Sequence, residues 1–549
     1  MNRARVAALL LAGVMLAGAC QHQPPPPAAR PASVEVRYEN NPEAPKTPPA
    51  TAAAAGAAKK VPPPVPPLPP YWTNRADLIK APAPPQPAAL ALPRIDRFKL
   101  KNGLEVIAVA RKDLPVVSFS LAVKAGGYDE DKARTLGVAD FTAAMLRRGT
   151  QKRTADEISA AIDFVGGSLE TQAGNESSTA SCSALVKDAR LCLDLLSDIL
   201  LHPAFPESEM PEVRDQLLAA VSGVYDSPQE LANEHFDNLL FGEKNPDGWI
   251  LTKEDVQKIT REDLVTFWRT FYRPQNAILA VAGDSDSARL HAEVERAFGS
   301  WERAAVPARP EFKIPELKAT RILLVDRPDL TQATLVFGHA GLRHADPRWY
   351  AVTLMNYVLG GSDFSSRLMT EVRAKRGLTY GIGSSFGATL YDGAFRVSAS
   401  TKNESVWEAL VASVDEIRRM KAGGPGADEL AKAKGYYAGS YPFSLQTAAG
   451  VAGSIVGAEL QDLGIDYVRD LPLRLAAVDD AQAKQAGQDF LFPDTMVVVI
   501  VGKADVIEPQ IVRAKTGIRY ERINFKDPIS HAARAHLRKQ KQPQTQPQP

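Results

Sequence analysis

Apolar positions along this chain keep two periods. Between Gly137 and Thr150, Val138, Phe141, Met145 and Leu146 recur at helical spacing and predict an amphipathic helix that stops at Gly149-Thr150. Residues 116–123 alternate and are β-branched, which predicts a strand. Residues 97–100 and 104–109 flank Asn102-Gly103 as a hairpin. Two more strands are expected between 168 and 185, around Asn175. Helices follow at 155–164, with Thr154 as cap, and at 189–201, 207–225 and 261–271. A continuous apolar strand at 277–282 closes the series.

The order then repeats. Strands are expected at 321–325, 332–338, 378–386 and 394–400, helices at 348–359, 365–376, 406–422, 427–440 and 448–463, and a last apolar strand at 496–501. The fold class is therefore α+β: two homologous domains, 93–303 and 316–525, joined by a linker at 304–315. Each is read as a mostly antiparallel sheet with helices packed on it. The tail at 526–549 is polar and is expected to be disordered, with its few basic residues solvated.

Composition agrees with a soluble globular protein, at 45% hydrophobic and 23% charged residues. A net charge of +1 leaves no basic footprint for nucleic acid. The prolines, 42 in all, crowd the region before residue 95, where runs such as PPPPAARP and VPPPVPPLPP make 20–92 a disordered, partly extended tether. Residues 1–19 read as a signal peptide, with Arg3 and Arg5 ahead of a short apolar run. Ala17-Gly18-Ala19 before Cys20 points to a bacterial lipoprotein box, with lipid on Cys20 and a periplasmic, membrane-anchored protein. Leu16 stands one position early for that box, and ordinary signal peptidase would instead leave a soluble periplasmic protein. Cys182 and Cys192 lie in apolar segments and are read as two core thiols, although export permits a disulfide.

Several motifs carry a family likeness. The frame G-V-A-x-F-x-x-M-L-x-x-G-T occupies 137–150, followed by His202-Pro203-Ala204-Phe205-Pro206 and Asp226-Ser227-Pro228. In the second half stand Leu359-Gly360-Gly361, Ser366-Arg367-Leu368 and Arg373-Ala374-Lys375-Arg376-Gly377-Leu378-Thr379-Tyr380. From about 95 to 525 the chain resembles the pitrilysin/insulinase family of inverted zincins, most closely its short bacterial, mitochondrial-processing-peptidase-like members. That resemblance implies that the two domains form half of a clamshell.

It also implies a missing metal site. Zinc in such a peptidase needs two His one helical turn apart and a distal Glu as ligands, with a second Glu to activate the bound water. The likeness places Asp140 at the first His, Ala143 at the base, Ala144 at the second His and Ala220 at the distal Glu. None of the eight His residues forms an H-x-x-E-H elsewhere. No metal is expected on this chain. The resemblance further implies that Arg373 and Tyr380 are the family's Arg/Tyr pair, which contacts bound peptide and stabilises the transition state.

The expected function is thus a non-catalytic subunit that binds peptide and pairs with a related catalytic chain carrying H-x-x-E-H and the zinc, completing that partner's site with Arg373 and Tyr380. A catalytically dead peptide-binding or assembly protein on the same scaffold is the alternative. An independently active zinc peptidase with relocated ligands is a third reading.

Overall fold

The computed structural model describes residues 90–284 and 287–541. The signal peptide, Cys20 and nearly all of the tether lie outside the described residues. Among the described residues no helix is long and apolar enough to cross a membrane.

Six strands build the first sheet: β1 (Ile95–Lys99), β2 (Glu105–Ala110), β3 (Val116–Val123), β4 (Ser168–Ala173), β5 (Ser178–Leu185) and β6 (Ala277–Gly283). Their order is β1-β2-β6-β3-β5-β4, and only the β2–β6 pairing is parallel. The second sheet comprises β7 (Arg321–Asp326), β8 (Gln332–Ala340), β9 (Thr379–Phe386), β10 (Ala394–Lys402), β11 (Val497–Gly502) and β12 (Tyr520–Asn524). It runs β12-β7-β11-β8-β10-β9, with β7 parallel to both β11 and β12. Five strands of each sheet follow one order, β2-β6-β3-β5-β4 against β7-β11-β8-β10-β9. The sixth breaks the repeat: β1 comes from the start of its half and is antiparallel, whereas β12 comes from the end and is parallel.

In the first half the helices are α1 (Val138–Met145), α2 (Ala155–Phe164), α3 (Ala189–Leu201), α4 (Met210–Asp226), α5 (Pro228–Phe241), α6 (Lys253–Lys258), α7 (Arg261–Phe271) and α8 (Ser287–Phe298). Those of the second are α9 (Trp349–Asn356), α10 (Val406–Gly423), α11 (Ala427–Ser444), α12 (Ala448–Leu460), α13 (Ile465–Ala477), α14 (Asp480–Phe490), α15 (Ala504–Arg513) and α16 (His531–Lys541). Thr154 caps α2 as expected: its hydroxyl accepts from the Glu157 amide at 3.2 Å, and the Glu157 carboxylate accepts from the Thr154 amide at 2.8 Å.

The apolar runs of β6 and β11 are explained by burial on both faces. Leu279 and Val281 of β6 point into the first half's own core. On the other face Ile278, Ala280 and Ala282 meet Val451, Ala452 and Ile455 of α12, which belongs to the second half. β11 mirrors this. Val498 and Ile500 face their own core, while Val497, Val499 and Val501 meet Leu231, Phe236 and Leu240 of α5, from the first half. Each half thus lends one helix to cover the other's sheet. Each fully buried side chain of this kind contributes about 1.5–3 kcal/mol. Arg97 of β1 adds a two-pronged contact to Glu459 of α12, at 3.0 and 3.2 Å. The linker is pinned to both halves, through Arg309 to Asp129 at 2.7 Å and through Pro310, whose carbonyl accepts from the Tyr391 hydroxyl at 2.7 Å.

Two expectations are corrected. Cys182 of β5 and Cys192 of α3 are joined in a disulfide, with Cα atoms 5.6 Å apart, rather than standing as separate thiols. The short connection between β5 and α3 brings the two backbones within bridging range. The tail is not wholly solvated either. Nor is it disordered throughout: from His531 it forms α16, and Arg534 is only 4% exposed, because its guanidinium donates to the Pro528 carbonyl at 2.8 Å and lies 3.4 Å from Nδ1 of His235 on α5.

Candidate functional site: an apolar cavity and an Arg/Tyr pair

The chemistry foreseen on α1 depends first on how that helix starts. Gly137 precedes it at φ +95°, and a Cβ there would fall 2.9 Å from Leu251, so only glycine fits. Glu130, 8% exposed, accepts from the amides of Gly137 at 3.0 Å and Ala139 at 2.9 Å. A carboxylate thus satisfies the free donors at the positive end of the helix. Phe141 and Met145 sit in the core below, as their spacing predicts.

Asp140 and Ala144, one turn apart, line a cavity of about 550 Å³, and Ala220 of α4 lines it too. Two neighbouring positions and a distant third therefore converge where the resemblance puts metal ligands. Ala143 does not join them; at 1% exposure it packs in the core. The remaining walls include Val224, Tyr225 and Glu234, residues 171–173 of the edge strand β4, and Pro528 and Ile529 from the tail. Burial raises the Glu234 carboxyl to about 7, helped by repulsion from Asp237 and Glu230. Zinc requires at least three protein donors. At the converging positions there is one carboxylate and two methyl groups, and methyl groups have no lone pairs. The residues present do not fit the metal. Among the described residues no group of three or more His, Cys, Asp or Glu side chains is placed to hold one.

Two His residues outside these positions are deeply buried. His339 accepts from the Phe492 amide at 3.0 Å and stacks on Phe395, and burial lowers its pKa to about 4. His235 is likewise held neutral by burial and by Arg534.

The second candidate group lies in the other half. Residues Met369–Lys375 form a π-helical turn, a form enriched at functional sites. The Gly377 amide donates to the Arg373 carbonyl at 2.9 Å, and the Leu378 amide to that of Val372 at 3.0 Å. Gly377 takes φ +65°, and the chain reverses into β9. This reversal sets the Arg373 guanidinium carbon 4.7 Å from the centre of the Tyr380 ring. Tyr380 is 84% exposed. Neighbouring cations are all paired: Lys375 and Arg376 with Glu371, and Arg367 with Glu429. Arg373 makes no ion pair among the described residues. Neither Arg373 nor Tyr380 lines the cavity at Asp140.

The glycines of Leu359-Gly360-Gly361 have a physical reason. A Cβ on Gly360 would lie 2.4 Å from the Ser384 hydroxyl, so glycine lets this turn press against β9. Three neighbours of these positions were not foreseen: Glu130, Glu234 and Phe364. Phe364 carried a usable signal, an aromatic residue in an otherwise polar loop between Gly361 and Ser366. The other two carried none.

Fold and site together define a two-domain metallopeptidase-like scaffold in which positions 140, 144 and 220 carry too few donors for zinc. Residues 106–248 match the family profile described as "Insulinase (Peptidase family M16)", and residues 258–437 match "Peptidase M16 inactive domain". An uncharacterized zinc protease of Mycobacterium bovis is 30% identical over 374 residues, covering 67% of this chain and 83% of that protein. One from Streptomyces coelicolor is 28% identical over 406 residues, covering 72% and 87%. The crystal structure of a peptidase M16 inactive domain from Pseudomonas fluorescens superposes with a TM-score of 0.69 at 26% identity, covering 74% of this chain and 98% of that one. The chain belongs to the insulinase family, peptidase family M16.

Proposed function

We propose that this chain is the non-catalytic subunit of a two-chain zinc peptidase. It binds peptide and completes the active site of a related partner that carries H-x-x-E-H and the zinc. The observation that carries this reading is the Arg373–Tyr380 pair. The half-buried Arg373 guanidinium lies over the exposed Tyr380 ring, and neither residue lines the cavity at this chain's own metal-site positions. A guanidinium and a phenol donate hydrogen bonds to a peptide carbonyl or to the oxyanion that forms from it. Loss of the donors at Ala144 and Ala220 explains why the partner must supply the metal. The relatives named zinc proteases support the substrate class, a peptide.

The test is co-purification from the native host, followed by metal analysis and peptide cleavage by this chain alone and by the complex. Activity that needs both chains, and zinc confined to the partner, supports the reading. Stoichiometric zinc and cleavage by the isolated chain would sink it.

The location proposed is the periplasm, anchored through lipid on Cys20. The disulfide between Cys182 and Cys192 fits an oxidising compartment. Detergent-phase partitioning that is lost in Cys20→Ala supports the anchor; unchanged partitioning refutes it.

A further inference from the structure

Arg373 poses a physical problem. A long, flexible cation that must meet a transition state has to be held in advance, yet no carboxylate among the described residues holds it. A carboxylate would in any case be a poor holder, because it would occupy the N–H donors and cancel the charge. Aromatic rings attract a guanidinium through their π faces and leave its in-plane donors open.

Two rings are in place. Besides Tyr380, Phe364 lies with its ring centre 5.1 Å from the Arg373 guanidinium carbon. Phe364 is 76% exposed, so its ring is not there to fill a core. The loop that presents it is fixed on both sides. The Ser362 and Ser365 hydroxyls bond at 3.0 Å, and the buried Ser366 hydroxyl accepts from the Met369 amide at 3.3 Å.

We propose that Phe364 is a positioning residue: with Tyr380 it holds the Arg373 guanidinium by cation–π contact, keeping its charge and its N–H donors free for the partner's substrate. This rests on the reading of Arg373 as acting in trans.

The test uses the purified two-chain complex and an internally quenched peptide library. Phe364→Leu keeps an apolar side chain and removes the ring. It is expected to lower kcat about 2–5-fold with KM unchanged, the range a solvent-exposed cation–π contact covers. Phe364→Tyr should keep most of the activity. In an Arg373→Ala background, Phe364→Leu should cost nothing further, because the group it positions is gone. Wild-type kcat in Phe364→Leu, a change in KM alone, or the same loss with and without Arg373 would each overturn the proposal while leaving the trans reading intact. An Arg373→Ala complex as active as wild type would instead refute the trans reading itself.

Discussion

Arg396 of β10 and Asp237 of α5 form an ion pair across the two halves, with side chains only 12% and 2% exposed. The pair lies beneath the helix that the first half lends to the second sheet. Removing one partner of such a pair strands a charge in a poorly solvated place. Arg396→Ala should therefore destabilise the protein by about 3–5 kcal/mol, whereas replacing both residues by apolar ones should cost far less. Urea denaturation of the two variants checks this. Equal losses would mean that the pair is not desolvated.

The convergence of residues 140, 144 and 220 predicts that the metal site can be rebuilt. Asp140→His, Ala144→His and Ala220→Glu together should yield a protein that binds close to one zinc per chain, with donors supplied at the positions lining the cavity. Metal content after dialysis is the measurement. A folded triple variant without zinc would show that α1 and α4 are not set at ligand distance.

For the Arg/Tyr pair, Arg373→Ala should lower the kcat of the complex about 100–1000-fold, the usual cost of removing an oxyanion donor. Tyr380→Phe keeps the ring beside Arg373 and loses only the hydroxyl, so it separates the phenol's hydrogen bond from its stacking. Since Tyr380 is exposed, its thermal midpoint should stay at the wild-type value.

Asp247 predicts a pH dependence. Its carboxylate accepts from the Tyr128 hydroxyl at 3.0 Å and from the Asn175 amide at 2.7 Å. Burial, with repulsion from Asp237 and Glu176, raises its pKa from 3.8 to about 7. The native state then binds more protons than the unfolded chain between those two values. This contribution is full below pH 3.8 and is lost as pH rises towards 7. Asp247→Asn should consequently stabilise the protein more at pH 8 than at pH 5. Thermal midpoints at the two pH values give the answer, and an equal shift at both would contradict the raised pKa.

Most of the element order was legible, and for a clear reason. β6 and β11 are unbroken apolar runs, and α1 keeps a helical period between a glycine start and a Gly-Thr stop. β12 was not legible. An edge strand needs only one inward residue, and in Tyr520–Asn524 that residue is Ile523 alone. Nor could the exchange of α5 and α12 be read. The alanine, valine and glycine of α12 say that it is buried, and nothing in them says against which sheet. At the site, the identities at 140, 144 and 220 already showed the loss of donors. That Ala143 turns into the core, and that Phe364 reaches Arg373, depended on side-chain directions that spacing does not encode. A sequence separation of ten between Cys182 and Cys192 allowed either outcome, and only their placement on adjoining elements settled it.

The exchange of α5 and α12 has a bearing on how such a chain can change over time. The stretch at 304–315 looks like a seam, yet a gene fragment ending there would encode a sheet stripped of half its cover. Neither half can be discarded without unroofing the other's sheet, so the two must be kept or lost together.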